Sequence, residues 1–198
     1  MPRIPGVAAE HTGWLLRIAY WYARRRYGAV PEPMTVAAHH PRLLIAGGRH
    51  EMAYEKAATS LPANVREIAV YRVAQRLGCS WCVDFGTMLQ RLGGLDVDRL
   101  RWIDDYADSP HYSDPERLAI RYADAMTASP VTVTDEQVAD LVAVFGRKGT
   151  IELTYAIALE NMRARTNSAL GITDQGFSDA CQIPGADQPA AAITTRRG

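Results

Sequence analysis

The chain carries no excess of charge in either sense: 22 lysines and arginines balance 22 aspartates and glutamates. Such a chain has no overall field to draw in nucleic acid or an anionic membrane, and neither is expected as a partner. Long apolar runs are also absent. No stretch approaches the ~20 residues that span a bilayer, and the opening Met-Pro-Arg-Ile-Pro-Gly lacks the apolar core of a secretory signal. The densest basic run, Arg24-Arg25-Arg26, stands beside Trp14, Tyr20, Trp21 and Tyr22, and reads as the solvated face of an ordinary helix. Cysteine is scarce. Three residues, an odd number, do not make the disulfide framework of a secreted domain. Together these absences predict a cytoplasmic protein.

What is present is helical. With 198 residues and 47% apolar content, the chain suits one buried core and is short for two. A single helical domain is expected over residues 1–183. The stretch 184–198, rich in Gly, Pro and Ala and without periodicity, is expected to be a disordered tail. Trp14, Leu15, Ile18, Trp21 and Tyr22 recur at helical steps and mark a first amphipathic helix. Gly28 to Pro33 breaks it, a second helical stretch runs through Leu43–Ile45 up to Gly47-Gly48, and a third opens after Met52. Pro62 suits a first helical turn, followed by the stripe Val65, Ile68, Ala69, Val73, Leu77 and a stop at Gly78. Phe85, Met88, Leu89 and Leu92 form the next face, and Val97, Leu100, Ile103 and Tyr106 another. Two capping boxes, Ser113-Asp-Pro-Glu116 and Thr134-Asp-Glu-Gln137, open later helices. A last helix runs from Thr150 to about Arg165. The one strand candidate, Val131–Thr134, is too short. The fold class is all-α.

Cys79 and Cys82, in the sequence Cys-Ser-Trp-Cys, hold the chemistry. Gly78 ends one helix, and Cys79 or Ser80 can cap the next. Cys79 would then sit at the positive end of a helix dipole, with Cys82 one turn inside. That placement lowers a thiol pKa and lets the sulfurs meet as a disulfide. Zinc would require two further ligands. His39 and His40 are adjacent and followed by Pro41, and His11, His50 and His111 are scattered, so neither a metal nor another cofactor is expected. Plain packing of two small core side chains remains an alternative.

Glu67 interrupts an otherwise apolar helical stretch. If the chain doubles back near Gly78, Glu67 faces residues 85–88, where it could hold a water or move a proton; otherwise it is a surface acid paired with Arg66 or Arg72. Trp81 either lines a pocket over the sulfurs or packs at a helix start. Asn161, Arg165 and Asn167 read as cap or interface residues. Cys181 reads as an incidental free thiol.

Leu61-Pro-x4-Glu67, then Cys79-Ser-Trp-Cys82-Val-Asp84-Phe-Gly86, resembles the carboxymuconolactone decarboxylase superfamily, in its alkyl hydroperoxidase D-like branch. The segments Glu160–Gly171 and Gln175–Ser178 are similar to the C-terminal end of longer members. The likeness covers about residues 34–182. It implies an all-α fold and a homo-oligomer with the Cys-x-x-Cys helix near a subunit interface. It also implies site roles. Cys82 attacks peroxide, Cys79 closes the disulfide and exchanges with a dithiol reductant or disulfide partner protein, and Glu67 works through water with a histidine four residues after Cys82. Here that position is Gly86.

An unperturbed thiol near pKa ~8.5 is only a few per cent thiolate at neutral pH, and a positioned base contributes roughly 100- to 10,000-fold. Asp84, as an anion beside a thiol, would raise its pKa. The expected function is therefore a thiol–disulfide oxidoreductase or hydroperoxide-reducing enzyme, slow as a peroxidase, acting on a peroxide or other small molecule. The alternatives are a non-catalytic oligomeric helical module and a lyase or decarboxylase working without thiols.

Overall fold

Helix boundaries in the computed structural model, which describes residues 1–178, follow the local capping chemistry. After a 3-10 turn at Ala9–His11, α1 spans Trp14–Tyr27 and stops at Gly28, whose φ of 83° is a left-handed cap. Helix α2 covers Glu32–Ala37, with Pro33 in its first turn. Helix α3 covers Pro41–Ala57, and the ring of His40 accepts the Leu43 N–H at its start. Then come α4 (Ala63–Arg76), α5 (Ser80–Leu92), a 3-10 segment (Asp98–Asp105), α6 (Asp114–Thr127) and α7 (Asp135–Leu170). Among the described residues there is no strand. The fold is all-α. No helix among them is long and apolar enough to cross a membrane.

Both capping boxes form. The Ser113 N–H and hydroxyl donate to the Glu116 carboxylate, while Thr134 and Gln137 exchange side-chain and backbone bonds. Helix α4 is central and packs on α5, α6 and α7. Its Val65, Ala69 and Val73 meet Leu118, Ala119 and Tyr122 of α6 and Leu153 and Ile157 of α7. Each large apolar side chain fully buried this way contributes about 1.5–3 kcal/mol. A second cluster joins Cys79, Trp81, Cys82 and Met88 to Val36, Ala164, Ile172 and Phe177. The site thus shares its walls with the core.

Four elements differ from the sequence expectation. Helix α3 runs straight through Gly47-Gly48, since neither glycine takes a positive φ and each costs a helix only about 1 kcal/mol. The segment after Val97 winds as a 3-10 helix rather than an α-helix. Helix α7 begins at the second capping box but breaks at Gly146 (φ 67°, ψ 171°), so the helix expected from Thr150 is its second half. The apolar stripe of α1 faces outward. Leu16, Tyr20 and Ala23 are buried, whereas Trp14, Leu15, Ile18, Trp21 and Tyr22 are exposed. Cys181, the end of the expected domain and the tail from 184 lie outside the described residues.

Candidate active site

The turn between α4 and α5 builds the site. Gly78 adopts φ 64°, which a side chain would strain, and the Cys79 N–H returns to the Ala74 carbonyl at 2.9 Å. This closes α4 and leaves Cys79 as the N-cap of α5, its sulfur accepting the Cys82 N–H at 3.3 Å. Cys79 and Cys82 are joined by a disulfide, with their Cα atoms 5.2 Å apart. Both are buried, Cys79 at 2% exposure and Cys82 at 7%.

They share a buried cluster with Trp81 and Phe177, against which Phe85 packs. Trp81 stacks on Phe85 with centroids 4.6 Å apart, and Phe177 meets Phe85 edge-on at 5.1 Å. Trp81 is itself buried, and its indole N–H donates to Gln175 Oε1 at 2.8 Å. It packs in the same cluster as the two cysteines.

Gln175 and Phe177 belong to the segment after α7, which Asp84 ties down. The Asp84 carboxylate accepts the backbone N–H groups of Gln175, Phe177 and Ser178 at 2.9, 2.9 and 2.7 Å. Burial alone would raise this carboxyl, but those three bonds outweigh it and hold the pKa below the usual aspartate range. Asp84 is thus an anchor for the C-terminal strap rather than a partner of the thiols. Asp84→Asn keeps the shape but turns an amide N–H toward backbone donors, and should destabilise the fold by about 2–3 kcal/mol in denaturant unfolding. With a depressed folded pKa, the wild-type contribution is present above the unfolded value of ~4 and lost as pH falls through the folded one. The variant should lack that acid limb, and identical acid profiles would contradict the anchoring role.

Of the residues singled out around the cysteines, Asp84 also lines a cavity of 600 Å³ with Gln75, Gly78, Ser80, Thr87 and Asp174, whereas Trp81 and Gly86 do not. Gly86 lies one helical turn beyond Cys82 and is half-buried. A Cβ built there meets nothing within 4 Å, so the position has room for a side chain.

Glu67 is half-buried and bonds to Arg66 Nε at 3.1 Å. No hydrogen bond among the described residues joins it to either sulfur. Its charge instead acts on Tyr54 and on Glu160 of α7. Glu160 is buried, with one oxygen on Arg163 at 3.2 Å and the other without a partner among the described residues. Burial pushes its carboxyl up to about 7, opposed by Arg163 and aided by Glu51 and Glu67. It therefore holds a proton over part of the neutral range.

Asn167 lies near the end of α7, as the sequence indicates, but the contact of its side chain is one the sequence does not show. Among the described residues its side chain caps no helix end: Nδ2 points at the sulfurs, 3.4 Å from Cys82 Sγ and 3.8 Å from Cys79 Sγ. Asn161, by contrast, bonds within the fold, to Thr127 Oγ1 and the Ile157 carbonyl. Since Asn167 lies 85 residues beyond Cys82, no local spacing could have linked them.

No family model matches the chain. It is 36% identical over 172 residues to the uncharacterized protein YnjA of Escherichia coli, covering 86% of this chain and 92% of YnjA. It is also 33% identical over 95 residues to the alkyl hydroperoxide reductase Rv2159c of Mycobacterium tuberculosis, or 48% of this chain and 27% of that protein. Among solved structures, an alkylhydroperoxidase AhpD core protein from Ralstonia eutropha superposes with TM-score 0.73 at 18% identity, over 89% of this chain and 94% of that one. The chain belongs to the same family as YnjA, and its fold is that of the alkyl hydroperoxidase D-like proteins. The debrominase Bmp8 shares the fold as well, with TM-score 0.77 at 17% identity over 90% of this chain and 95% of Bmp8. The shared fold agrees with the all-helical architecture of this chain.

Proposed function

We propose that this AhpD-like protein is a dithiol–disulfide oxidoreductase that reduces hydroperoxides, slowly for want of a base at position 86. The observation that carries the reading is the Cys79–Cys82 disulfide at the start of α5, within a buried cluster that includes Trp81 and Phe177. In the reduced form, the Cys82 thiolate attacks the terminal peroxide oxygen. The O–O bond breaks, the alkoxide takes a proton to leave as an alcohol, and Cys82 becomes a sulfenic acid. The Cys79 sulfur then attacks Cys82, expelling the hydroxyl as water and forming the disulfide. In sum, two thiols and ROOH give a disulfide, ROH and water. A dithiol reductant returns the two electrons. Glu67, whose hydrogen bond is to Arg66, would reach the thiols only through water in this reading.

Mixing the reduced protein with one equivalent of an organic hydroperoxide tests this. One alcohol should form for every two thiols lost. Thiols that persist while peroxide remains would overturn the reading.

A second reading draws on the ring cluster and on the fold shared with a debrominase: reductive removal of bromide from a bromoaromatic. There the dithiol becomes the disulfide, the ring carbon takes a proton, and bromide and a proton are released. Bromide release by the reduced protein would favour it, and none would end it.

The reading includes a cytoplasmic setting and assembly with further copies of the chain. Helix α3 buries none of its residues, exposing Leu43 and Met52, and α1 exposes Trp14, Ile18 and Trp21. Apolar area of that extent fits a subunit interface. Sedimentation should give a mass above one chain, lowered by Ile18→Asp/Trp21→Asp; a single-chain mass for the wild type would refute it.

A further inference from the structure

The disulfide has one buried polar side chain beside it, Asn167, at 3% exposure. On the described residues, every hydrogen bond of this side chain goes to a sulfur: 3.4 Å to Cys82 Sγ and 3.8 Å to Cys79 Sγ. The fold uses only its backbone, where the Asn167 carbonyl accepts the Ile172 N–H at 2.9 Å. The two sulfurs are served differently. Cys79 Sγ accepts the Cys82 N–H at the positive end of α5, whereas Cys82 Sγ has the Asn167 amide as its nearer side-chain donor.

A disulfide sulfur is a weak acceptor, and a buried amide gains little by donating to it. A thiolate is a strong one, because bonds to charged acceptors are about twice as strong as neutral ones. An amide held in place before charge develops costs nothing to reorient when it does. We propose that Asn167 is a catalytic residue of the dithiol cycle, donating its side-chain N–H to the Cys82 thiolate and stabilising it where no base stands at position 86.

The inference deepens the dithiol reading above and rests on it. In the reductive step, a thiolate of a dithiol reductant attacks Cys79 Sγ. The Cys79–Cys82 bond breaks, and its electron pair leaves on Cys82, where the Asn167 N–H receives the charge. The second thiol of the reductant then attacks its own sulfur in the mixed disulfide and frees Cys79. In the oxidative step the same N–H keeps Cys82 ionised before it meets peroxide. Asn167 takes up no proton in either step. Unlike a histidine it adds no titration of its own, so the pH profile of Cys82 reactivity should follow a single thiol ionisation.

Two substitutions of similar volume separate the donor from its packing. Asn167→Leu removes the N–H, and Asn167→Asp puts an acceptor in its place. The probe is the pH dependence of Cys82 alkylation by iodoacetamide in the reduced protein, with Cys79→Ser/Cys181→Ser as background to isolate one thiol. Asn167→Leu should raise the Cys82 pKa by about one to two units, leaving roughly ten- to a hundredfold less thiolate at neutral pH. Asn167→Asp should raise it further. Asn167→Ser, which restores a donor with less bulk, should fall between wild type and Leu and covers the case in which Leu or Asp does not fold. If wild type cycles with peroxide and the pKa is the same with Asn, Ser and Leu, Asn167 is only packing and the inference is overturned. If the wild-type pair does not cycle at all, the dithiol reading fails first and takes the inference with it.

Discussion

Cys82→Ser is expected to bring peroxide consumption to background while leaving the protein folded. A serine hydroxyl at neutral pH is not ionised and has no base beside it, so it cannot attack the peroxide oxygen. The loss should be chemical rather than structural. The two cysteines are three residues apart, and closing so short a loop contributes about 2 kcal/mol in the chain-entropy description. The helices around them hold their own core through Val65, Val73, Leu153 and Ile157. Cys79→Ser should behave differently. Cys82 can still react once, consuming one equivalent of peroxide and stopping as a sulfenic acid that Cys79 is no longer there to resolve. A dimedone adduct at Cys82 in that variant, and none in Cys82→Ser, would fix the order of the two sulfurs. If Cys79→Ser is the variant that abolishes the first reaction, the assignment is reversed.

Gly86→His is expected to raise the peroxide rate, by about 100-fold if the imidazole works as a positioned base. The side chain one turn beyond Cys82 points along the same helix face. The glycine has no neighbour within 4 Å of a new Cβ, and its helical backbone accepts any residue. Replacing a mid-helix glycine should also stabilise α5 by a few tenths of a kcal/mol. The rate should acquire a limb near pH ~6.5 as the imidazole loses its proton. An unchanged rate in a folded variant would mean that the glycine serves another chemistry.

How far the sequence led depends on whether a feature is local. Ser113–Glu116 and Thr134–Gln137 announce helix starts because three-residue spacing suffices for the bonds they make, and both form. Gly78 and the Cys-x-x-Cys pair were equally legible, since an N-cap sulfur and a left-handed glycine depend on adjacent backbone only. Features built from distant partners were not. Asp84 shows no hint in its neighbours that three N–H groups from residues 175–178 converge on it. Asn167 looked like a helix-end residue, yet tertiary packing of α7 on α5 aims its amide at the sulfurs. In α1 the periodicity named the helix correctly but not its direction, because an apolar stripe looks the same whether it meets this chain or another. Glu67 sits where the spacing put it, on α4, but its bond to Arg66 shows that sequence distance to Cys79 does not measure contact with it.

The central claim is that Cys79 and Cys82 form a working redox pair, and a redox titration tests it most directly. The protein is equilibrated in glutathione or dithiothreitol buffers of graded potential, and free thiols are trapped and counted by intact mass. The account predicts one reversible two-electron transition, with both thiols appearing and disappearing together and with the disulfide formed by stoichiometric hydroperoxide in wild type. A pair that stays reduced across oxidising buffers, or thiols that fail to respond to hydroperoxide while the fold is intact, would contradict it.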